Sequence, residues 1–210
     1  MYFTKLISFL SAGAVVIPLA VVLFYRGDLW RRNKFLVLLT GYALGCELLF
    51  YGLASCQVNT LGLGSLVPLL DFICCMLALA GLMKGPLWTR PVLVLSVGYF
   101  ICAAVECSLY QLERSYPVTD TYGNLLRIGI CLYAFYDLTE HPQGADLTRV
   151  PLFYFNTGLL VYSSGTLFLF AMMNQLMHVF ALSWLLHAPL SIFFYSMLAK
   201  SMVCLVQTKS

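Results

Sequence analysis

The sequence predicts an all-α protein, a polytopic transmembrane helix bundle of seven helices with its N-terminus outside the cell and its C-terminus in the cytoplasm. Two observations predict this class. Hydrophobic residues make up 61% of the 210 residues and charged residues only 10%, whereas soluble proteins average about 45–50% and about 25%. The apolar residues also form runs of about 20 residues, the length at which a helix crosses a bilayer. We therefore predict a single transmembrane domain over residues 1–210.

Seven apolar stretches alternate with short polar loops along the chain. Their lengths are those of membrane helices, and the loops between them are too short to form a separate soluble domain. The predicted helices span residues 6–25, 35–53, 61–83, 92–111, 121–138, 152–173 and 176–206. The fifth is barely long enough to span and contains Asn124 and Arg127, so a bundle of six helices is an alternative.

The positions of Lys and Arg predict the orientation, because basic residues in short loops resist translocation across the membrane. The odd-numbered loops and the C-terminal end carry most of them: Arg26, Arg31, Arg32, Lys34, Lys84, Arg90, Arg149, Lys200 and Lys209. The second and sixth loops have none, and the fourth has only Arg114. The odd-numbered loops are therefore expected in the cytoplasm, and seven helices then place the N-terminus outside.

Four ionisable side chains fall inside predicted helices two to five: Glu47, Asp71, Glu106 and Arg127. Their distances from the cytoplasmic helix ends, roughly 16–22 Å at 1.5 Å per residue, place them in one layer. Ionisable residues in a bilayer are costly and usually mark function. A single base neutralises only one of three acids, which favours a proton-sensitive or cation-binding site that opens outward. The alternative is a polar network that only locks the helices together.

Two further residues are candidates for the same site. Tyr51 is one of several aromatic and hydroxyl residues expected to line the region and to offer hydrogen bonds to a ligand. His187 lies one turn from Ser183 and Ser191 and can titrate near neutral pH. Packing is the alternative role for Tyr51, and a structural hydrogen bond is the alternative for His187.

The sequence offers no pattern for a metal, a cofactor, a reaction or a nucleic acid. The three histidines are too far apart for one metal site, and the cysteines show no Cys-x-x-Cys spacing. His-Glu-x-x-His, Gly-x-Ser-x-Gly and phosphate-binding glycine loops are absent. We therefore expect no metal, no cofactor, no enzymatic activity and no nucleic-acid partner.

Two segments near the C-terminus carry a family resemblance. The run from Pro151 to Phe170, PLFYFNTGLLVYSSGTLFLF, followed by Trp184-Leu-Leu-His187, resembles a family of small uncharacterised bacterial integral membrane proteins with seven helices. Glu47 and Asp71 fit the acidic positions of that family, which is similar to membrane sensor modules associated with histidine kinases. The resemblance implies a multi-pass protein of the bacterial inner (plasma) membrane with a role in signal transduction.

These observations lead to one functional hypothesis and two alternatives. The leading hypothesis is a membrane-embedded sensory or signal-coupling module without its own output domain, which detects a small or lipid-like ligand or protonation. Its partners would be the lipid bilayer and a membrane-bound or cytoplasmic signalling protein. The alternatives are a small solute or proton-coupled transporter and a structural membrane scaffold subunit.

Overall fold

A computed structural model describes residues 13–56, 61–83, 86–110, 117–140, 146–176 and 180–207. Within these ranges the chain forms six α-helices and one short 3-10 helix, and no strand. The helices are α1 (Val16–Ser55), α2 (Leu61–Leu82), α3 (Pro86–Tyr110), α4 (Pro117–Glu140), α5 (Pro151–Leu176) and α6 (Phe180–Gln207). The beginning of the first predicted helix, residues 6–12, lies outside the described residues, as do parts of the second to fifth predicted loops.

The helix count differs from the prediction of seven, because the first two predicted helices form one kinked run, α1. Its backbone leaves the helical region at Tyr25 (φ −119°, ψ 22°) and at Asn33 (φ −154°, ψ 88°). The predicted first loop lies between these two residues and is itself helical. The reason is local: the segment contains no proline, and Arg and Leu have high helix propensity. Its charges suggested a loop, but charge alone does not end a helix.

Three of the other helices begin at a proline, before the apolar residues that defined them in the sequence. Pro86, Pro117 and Pro151 are the first residues of α3, α4 and α5. Proline is favoured at the first helical position, because its fixed φ suits the helix and its missing N–H would have no partner there. The predicted starts at residues 92, 121 and 152 are therefore late.

The described helices have the composition of a membrane protein. Three stretches are long and apolar enough to cross a bilayer, Val16–Leu53, Pro151–Leu169 and Leu186–Gln207. Two shorter apolar stretches lie in α2 and α3, Val67–Leu82 and Val94–Glu106. Large apolar side chains also face outward, and Phe24 is 85% exposed. Contiguous apolar surface of this kind is rare on soluble monomers.

The most extensive helix pair is α5 with α6. A Cβ added at Gly158 would lie 2.8 Å from the Cβ of Met197, and one added at Gly165 would lie 2.5 Å from Cδ1 of Leu190. These glycines are seven residues apart and therefore on one face, which lets the two helices approach closely. α1 packs against both α2 and α6, and the described residues of α3 pack mainly on its neighbours α2 and α4.

Asn33 fixes the second break of α1. Its Oδ1 accepts a hydrogen bond from the backbone N of Phe35 at 3.1 Å, the arrangement of an N-cap. Its Nδ2 donates to the carbonyl oxygen of Ala78 in α2 at 3.1 Å. The side chain is buried at 4% exposure and occupies the space beside Gly81. One amide group therefore starts the second part of α1 and joins it to α2.

Basic residues gather at the same end of the bundle. The Nη1 of Arg32 donates to the carbonyl oxygen of Leu205, near the end of α6, at 2.6 Å, so a cation meets the carbonyls of a helix C-terminus. The other exposed basic side chains at this end are Arg26, Arg31, Lys34, Arg149 and Lys200. At the opposite end, the described residues include no Lys or Arg. We call the first the basic end of the bundle.

The turn before α5 is also at the basic end. Asp146 accepts hydrogen bonds from the backbone N of Thr148 at 3.0 Å and from its Oγ1 at 2.5 Å. These two bonds lower the pKa of the Asp146 carboxyl, because they favour its charged form. Ser201 of α6 donates to the carbonyl oxygen of Pro151 at 2.8 Å. The start of α5 is therefore attached to α6.

Replacing Gly81 with alanine tests the junction between α1 and α2. The new Cβ would lie 2.8 Å from both Nδ2 and Oδ1 of Asn33, and such overpacking costs about 1–3 kcal/mol. The control is Gly41→Ala, where nothing lies within 4 Å of the added Cβ and alanine gains up to about 1 kcal/mol of helix propensity. Thermal unfolding in detergent is the measurement.

A third variant separates the clash with Asn33 from the effect of alanine on helix propensity. Because the clash is with the side chain of Asn33, the Gly81→Ala substitution should cost clearly less in an Asn33→Ala background. An equal cost in both backgrounds, or equal unfolding temperatures for Gly81→Ala and Gly41→Ala, would contradict the described packing.

Candidate ligand-binding cavity

A cavity of about 320 Å³ lies inside the bundle, in the half away from the basic end. Every helix contributes to its lining, for example through Tyr42, Asp71, Tyr99, Arg127, Tyr162 and His187, taken in order from α1 to α6. Its volume is at the lower end of the range of about 300–1,000 Å³ found for small-molecule sites. The cavity therefore has room for a small ligand in contact with all six helices.

An ion pair between α2 and α4 forms one wall of the cavity. The Nη2 of Arg127 donates to Oδ2 of Asp71 at 2.8 Å. The Arg127 side chain is 8% exposed and the Asp71 side chain is 30% exposed. Burying the guanidinium without a carboxylate would be very costly, so the pair ties α2 to α4. The Nε of Arg127 has no hydrogen-bond partner within the described part of the chain.

Two stacked aromatic rings pack beside the guanidinium of Arg127. Its guanidinium carbon lies 5.5 Å from the ring centroid of Phe72, a cation–π distance. Phe72 stacks on Tyr99 of α3 with centroids 4.5 Å apart. Tyr99 in turn lies against Gly123 of α4, where an added Cβ would be only 2.6 Å from the ring. These contacts fix the guanidinium between three helices.

His187 is held by hydrogen bonds on both sides of its ring. Its Nε2 lies 3.3 Å from the hydroxyl of Tyr162 in α5, and its Nδ1 lies 3.3 Å from Oγ of Ser191, one turn further along α6. The predicted proximity to Ser191 is therefore present. The side chain of Ser183, the other predicted neighbour, lies outside the described residues.

Two more carboxyl groups line the cavity, Glu47 of α1 and Asp120 of α4. Glu47 belongs to the predicted layer of charged residues. Asp120 does not, because the sequence placed it in the outer loop. It lies in the first turn of α4. The spacing Asp120, Asn124, Arg127 is i, i+4, i+7 and puts all three on one helix face, which is the signal that would have identified Asp120.

Glu106 occupies a different position from the other predicted charged residues. Its Oε2 accepts hydrogen bonds from the backbone N of Thr119 at 2.7 Å and from the Thr119 hydroxyl. Thr119 is in the first turn of α4, where backbone N–H groups lack helical partners and attract negative charge. Glu106 is buried at 6% exposure and is not among the cavity-lining residues. It caps α4 from α3.

Tyr51 is not part of the cavity wall either. Its side chain is 79% exposed, and Phe50 is the last residue of α1 in the cavity lining. Tyr51 lies one turn beyond Glu47, past the end of that lining. The structure brings together Glu47, Asp71, Arg127 and His187 from the predicted set, and it separates Glu106 and Tyr51 from them.

The side chains that line the cavity can bind a polar ligand. Its walls supply carboxylates, a guanidinium, phenol hydroxyls and an imidazole, all of which recognise polar ligands through charge and hydrogen bonds.

Among the described residues, no group of three or more His, Cys, Asp or Glu is placed to hold a metal ion. Comparisons of the chain with protein-family models, curated proteins and solved structures gave no match. The interpretation of the cavity therefore rests on its own geometry.

Substitutions in the ion pair should destabilise the bundle. We expect Arg127→Met and Asp71→Asn each to lower the free energy of unfolding by about 2–3 kcal/mol, below the about 3–5 kcal/mol typical of fully buried pairs. The lower value follows from the 30% exposure of Asp71. The double variant should cost less than the sum of the two single variants, because neither charge is then left alone.

A second ion pair provides the control. Arg149 and Asp146 lie 3.6 Å apart with side chains 84% and 50% exposed, and exposed pairs contribute little. Arg149→Met should leave thermal unfolding in detergent unchanged. Strict additivity of the Arg127 and Asp71 variants would show that the two side chains do not interact.

Proposed function

We propose that this protein is a sensory module of the bacterial inner membrane that binds a small ligand in the cavity and passes the resulting change in helix packing to a signalling partner. One observation carries the proposal. The cavity is lined by all six described helices, so a ligand bound there would contact every element of the bundle. A ligand shifts a conformational equilibrium only by its differential contacts with the two states, and this position offers such contacts on every helix.

The proposal includes seven membrane crossings, with α1 crossing twice. The apolar stretch Val16–Leu53 has 38 residues and would be about 57 Å long as a straight helix, almost twice the roughly 30 Å of a bilayer core. The backbone breaks at Tyr25 and Asn33, on either side of Arg26, Arg31 and Arg32. A turn at that segment would let the first predicted helix, residues 6–25, and the second part of α1 cross separately.

The proposed orientation places the basic end in the cytoplasm. Lys and Arg are enriched in cytoplasmic loops of membrane proteins, and the opposite end has none among its described residues. The cavity would then lie in the outer half of the membrane, and the end available to a cytoplasmic partner would be the basic one. The segments Pro151 to Phe170 and Trp184 to His187 resemble a family of small bacterial membrane proteins that is similar to sensor modules associated with histidine kinases, which is a further ground for proposing a sensor.

A small solute transporter is the second candidate. Pro68, which lies inside α2, is also part of the cavity wall. Helices interrupted at a binding site near the membrane midplane are common in transporters. Solute flux in proteoliposomes would favour this candidate over a sensor.

The number of crossings by α1 can be measured directly. If α1 crosses twice with the N-terminus outside, an N-terminal epitope tag and Cys56 should both react with membrane-impermeant reagents in intact spheroplasts. A C-terminal tag should be protected until the membrane is permeabilised, which serves as the internal control. An N-terminal tag and Cys56 on opposite sides would mean that α1 crosses once and that the seven-crossing proposal is wrong.

Filling the cavity tests the coupling without a known ligand. Ala43 is a buried lining residue of α1, and Ala43→Trp would occupy part of the space. We expect this change to alter amide hydrogen exchange at the basic end, residues 26–34 and 201–207, in protein reconstituted in nanodiscs. The matched control is Leu48→Trp, which adds the same ring at a position that is 63% exposed.

The outcome separates the sensor from a structural subunit. A change in exchange at the basic end that occurs with Ala43→Trp and not with Leu48→Trp would support the proposed coupling. Equal exchange in both variants and the wild type, with the Ala43→Trp protein still folded by thermal unfolding, would contradict the sensor proposal and favour a structural scaffold.

A further inference from the structure

The charges in the cavity wall do not balance. Glu47, Asp71 and Asp120 supply three carboxyl groups, and Arg127 is the only Lys or Arg among the lining residues. Arg127 forms its ion pair with Asp71. Asp120 is close enough to Arg127 to interact with it electrostatically, yet the two form no ion pair. The wall therefore has more acidic than basic side chains.

Glu47 and Asp120 have no direct partner for their carboxyl oxygens. Within the described part of the chain, neither side chain takes part in an ion pair or accepts a hydrogen bond. Both are partly buried. A partly buried carboxylate without a donor is costly, and in native proteins such groups call for a specific explanation.

Several hydrogen-bond donors in the same wall already donate to backbone carbonyl oxygens. The hydroxyl of Tyr42 donates to the carbonyl oxygen of Val67 at 2.6 Å. The Nδ2 of Asn124 donates to the backbone oxygen of Asp120 at 2.9 Å, and Oγ1 of Thr166 donates to the carbonyl oxygen of Tyr162 at 2.8 Å. These donors satisfy backbone carbonyls rather than the carboxyl groups.

Five of the other lining residues are Tyr or Phe. The rings of Tyr42, Tyr99, Tyr162 and Tyr195 and that of Phe50 all border the cavity. The faces of such rings attract cations. A ligand that complements this wall brings positive charge and N–H donors, and it presents its carbon chain to the rings.

From this combination we infer that the cavity binds a small organic amine, whose protonated amino groups donate hydrogen bonds to Glu47 and Asp120. The two acids lie on different helices, α1 and α4, and line the same cavity, so the ligand class that complements both is a diamine with one amino group for each. A volume of about 320 Å³ suits a short chain and excludes a lipid with full acyl chains. This inference rests on the proposed ligand-binding function and names its ligand class.

Four probes of equal chain length test the charge preference in wild-type protein. Binding of 1,4-diaminobutane, 1-aminobutane, 1,4-butanediol and butanedioate to the full chain in nanodiscs is measured by isothermal titration calorimetry at pH 7. We expect the diamine to bind at least tenfold more tightly than the monoamine, and the diol and the dianion not to bind. Binding of the diol or the dianion as tight as that of the diamine would overturn the inference.

Three variants locate the site. Glu47→Gln and Asp120→Asn keep the shape of each side chain, and each should weaken diamine binding at least tenfold. Glu140→Gln removes an exposed carboxyl at the basic end of α4 and should bind as the wild type does. Unchanged affinity in both cavity variants would overturn the inference, and if a variant fails to fold, the wild-type probe series still decides.

Failure of this inference is distinguishable from failure of the proposed function. If no amine binds but Ala43→Trp still alters hydrogen exchange at the basic end, the coupling stands and the ligand class is wrong. If amines bind and filling the cavity changes nothing at the basic end, the ligand class stands and the sensor proposal is wrong.

Discussion

The ion pair between Asp71 and Arg127 is the interaction on which the interior of the bundle depends. A guanidinium with 8% exposure can remain charged in an apolar bundle only beside a carboxylate, so the pair fixes the relation of α2 to α4. The rings of Phe72 and Tyr99 extend that relation to α3, and Gly123 provides the space for Tyr99. The cavity lies beside this network. Its polar lining and the packing of three helices thus have one physical origin.

The two ends of the bundle are built on different principles. At the basic end, side chains satisfy backbone groups: Asn33 bonds Ala78, Arg32 bonds Leu205, and Ser201 bonds Pro151. In the other half, carboxyl groups of Glu47 and Asp120 face a cavity with few donors. The basic end is therefore joined by hydrogen bonds between helices, while the cavity half retains carboxyl groups that a ligand could satisfy.

Composition and the lengths of the apolar runs predicted the helical class, along with the bounds of five helices to within about six residues, because these depend on local residue types. Glu47, Asp71 and Arg127 were also placed near one another, since helix depth follows from counting residues, whereas His187 was proposed for the site from its neighbours on its own helix. Glu106 and Tyr51 were misplaced because the depth of a residue does not show which side of the helix it faces. Nor does depth show that a neighbouring helix begins with backbone N–H groups that lack partners.

Asp120 was missed because the start of α4 at Pro117 was not seen in the sequence. The kink in α1 depends on Asn33 and its distant partner Ala78, which no local pattern records.

The uneven packing of the helices has a mechanical consequence. α5 and α6 approach closely at Gly158 and Gly165, whereas α3, as far as its residues are described, packs mainly on α2 and α4. Local opening begins where the fewest buried contacts must be broken. On unfolding by force or heat, α3 would therefore separate from the bundle first, and α5 and α6 would stay together longest. Because Tyr99 belongs to α3, that first step would also remove its ring from the stack that supports Arg127. The packing around the cavity would then be lost before the contacts of the basic end.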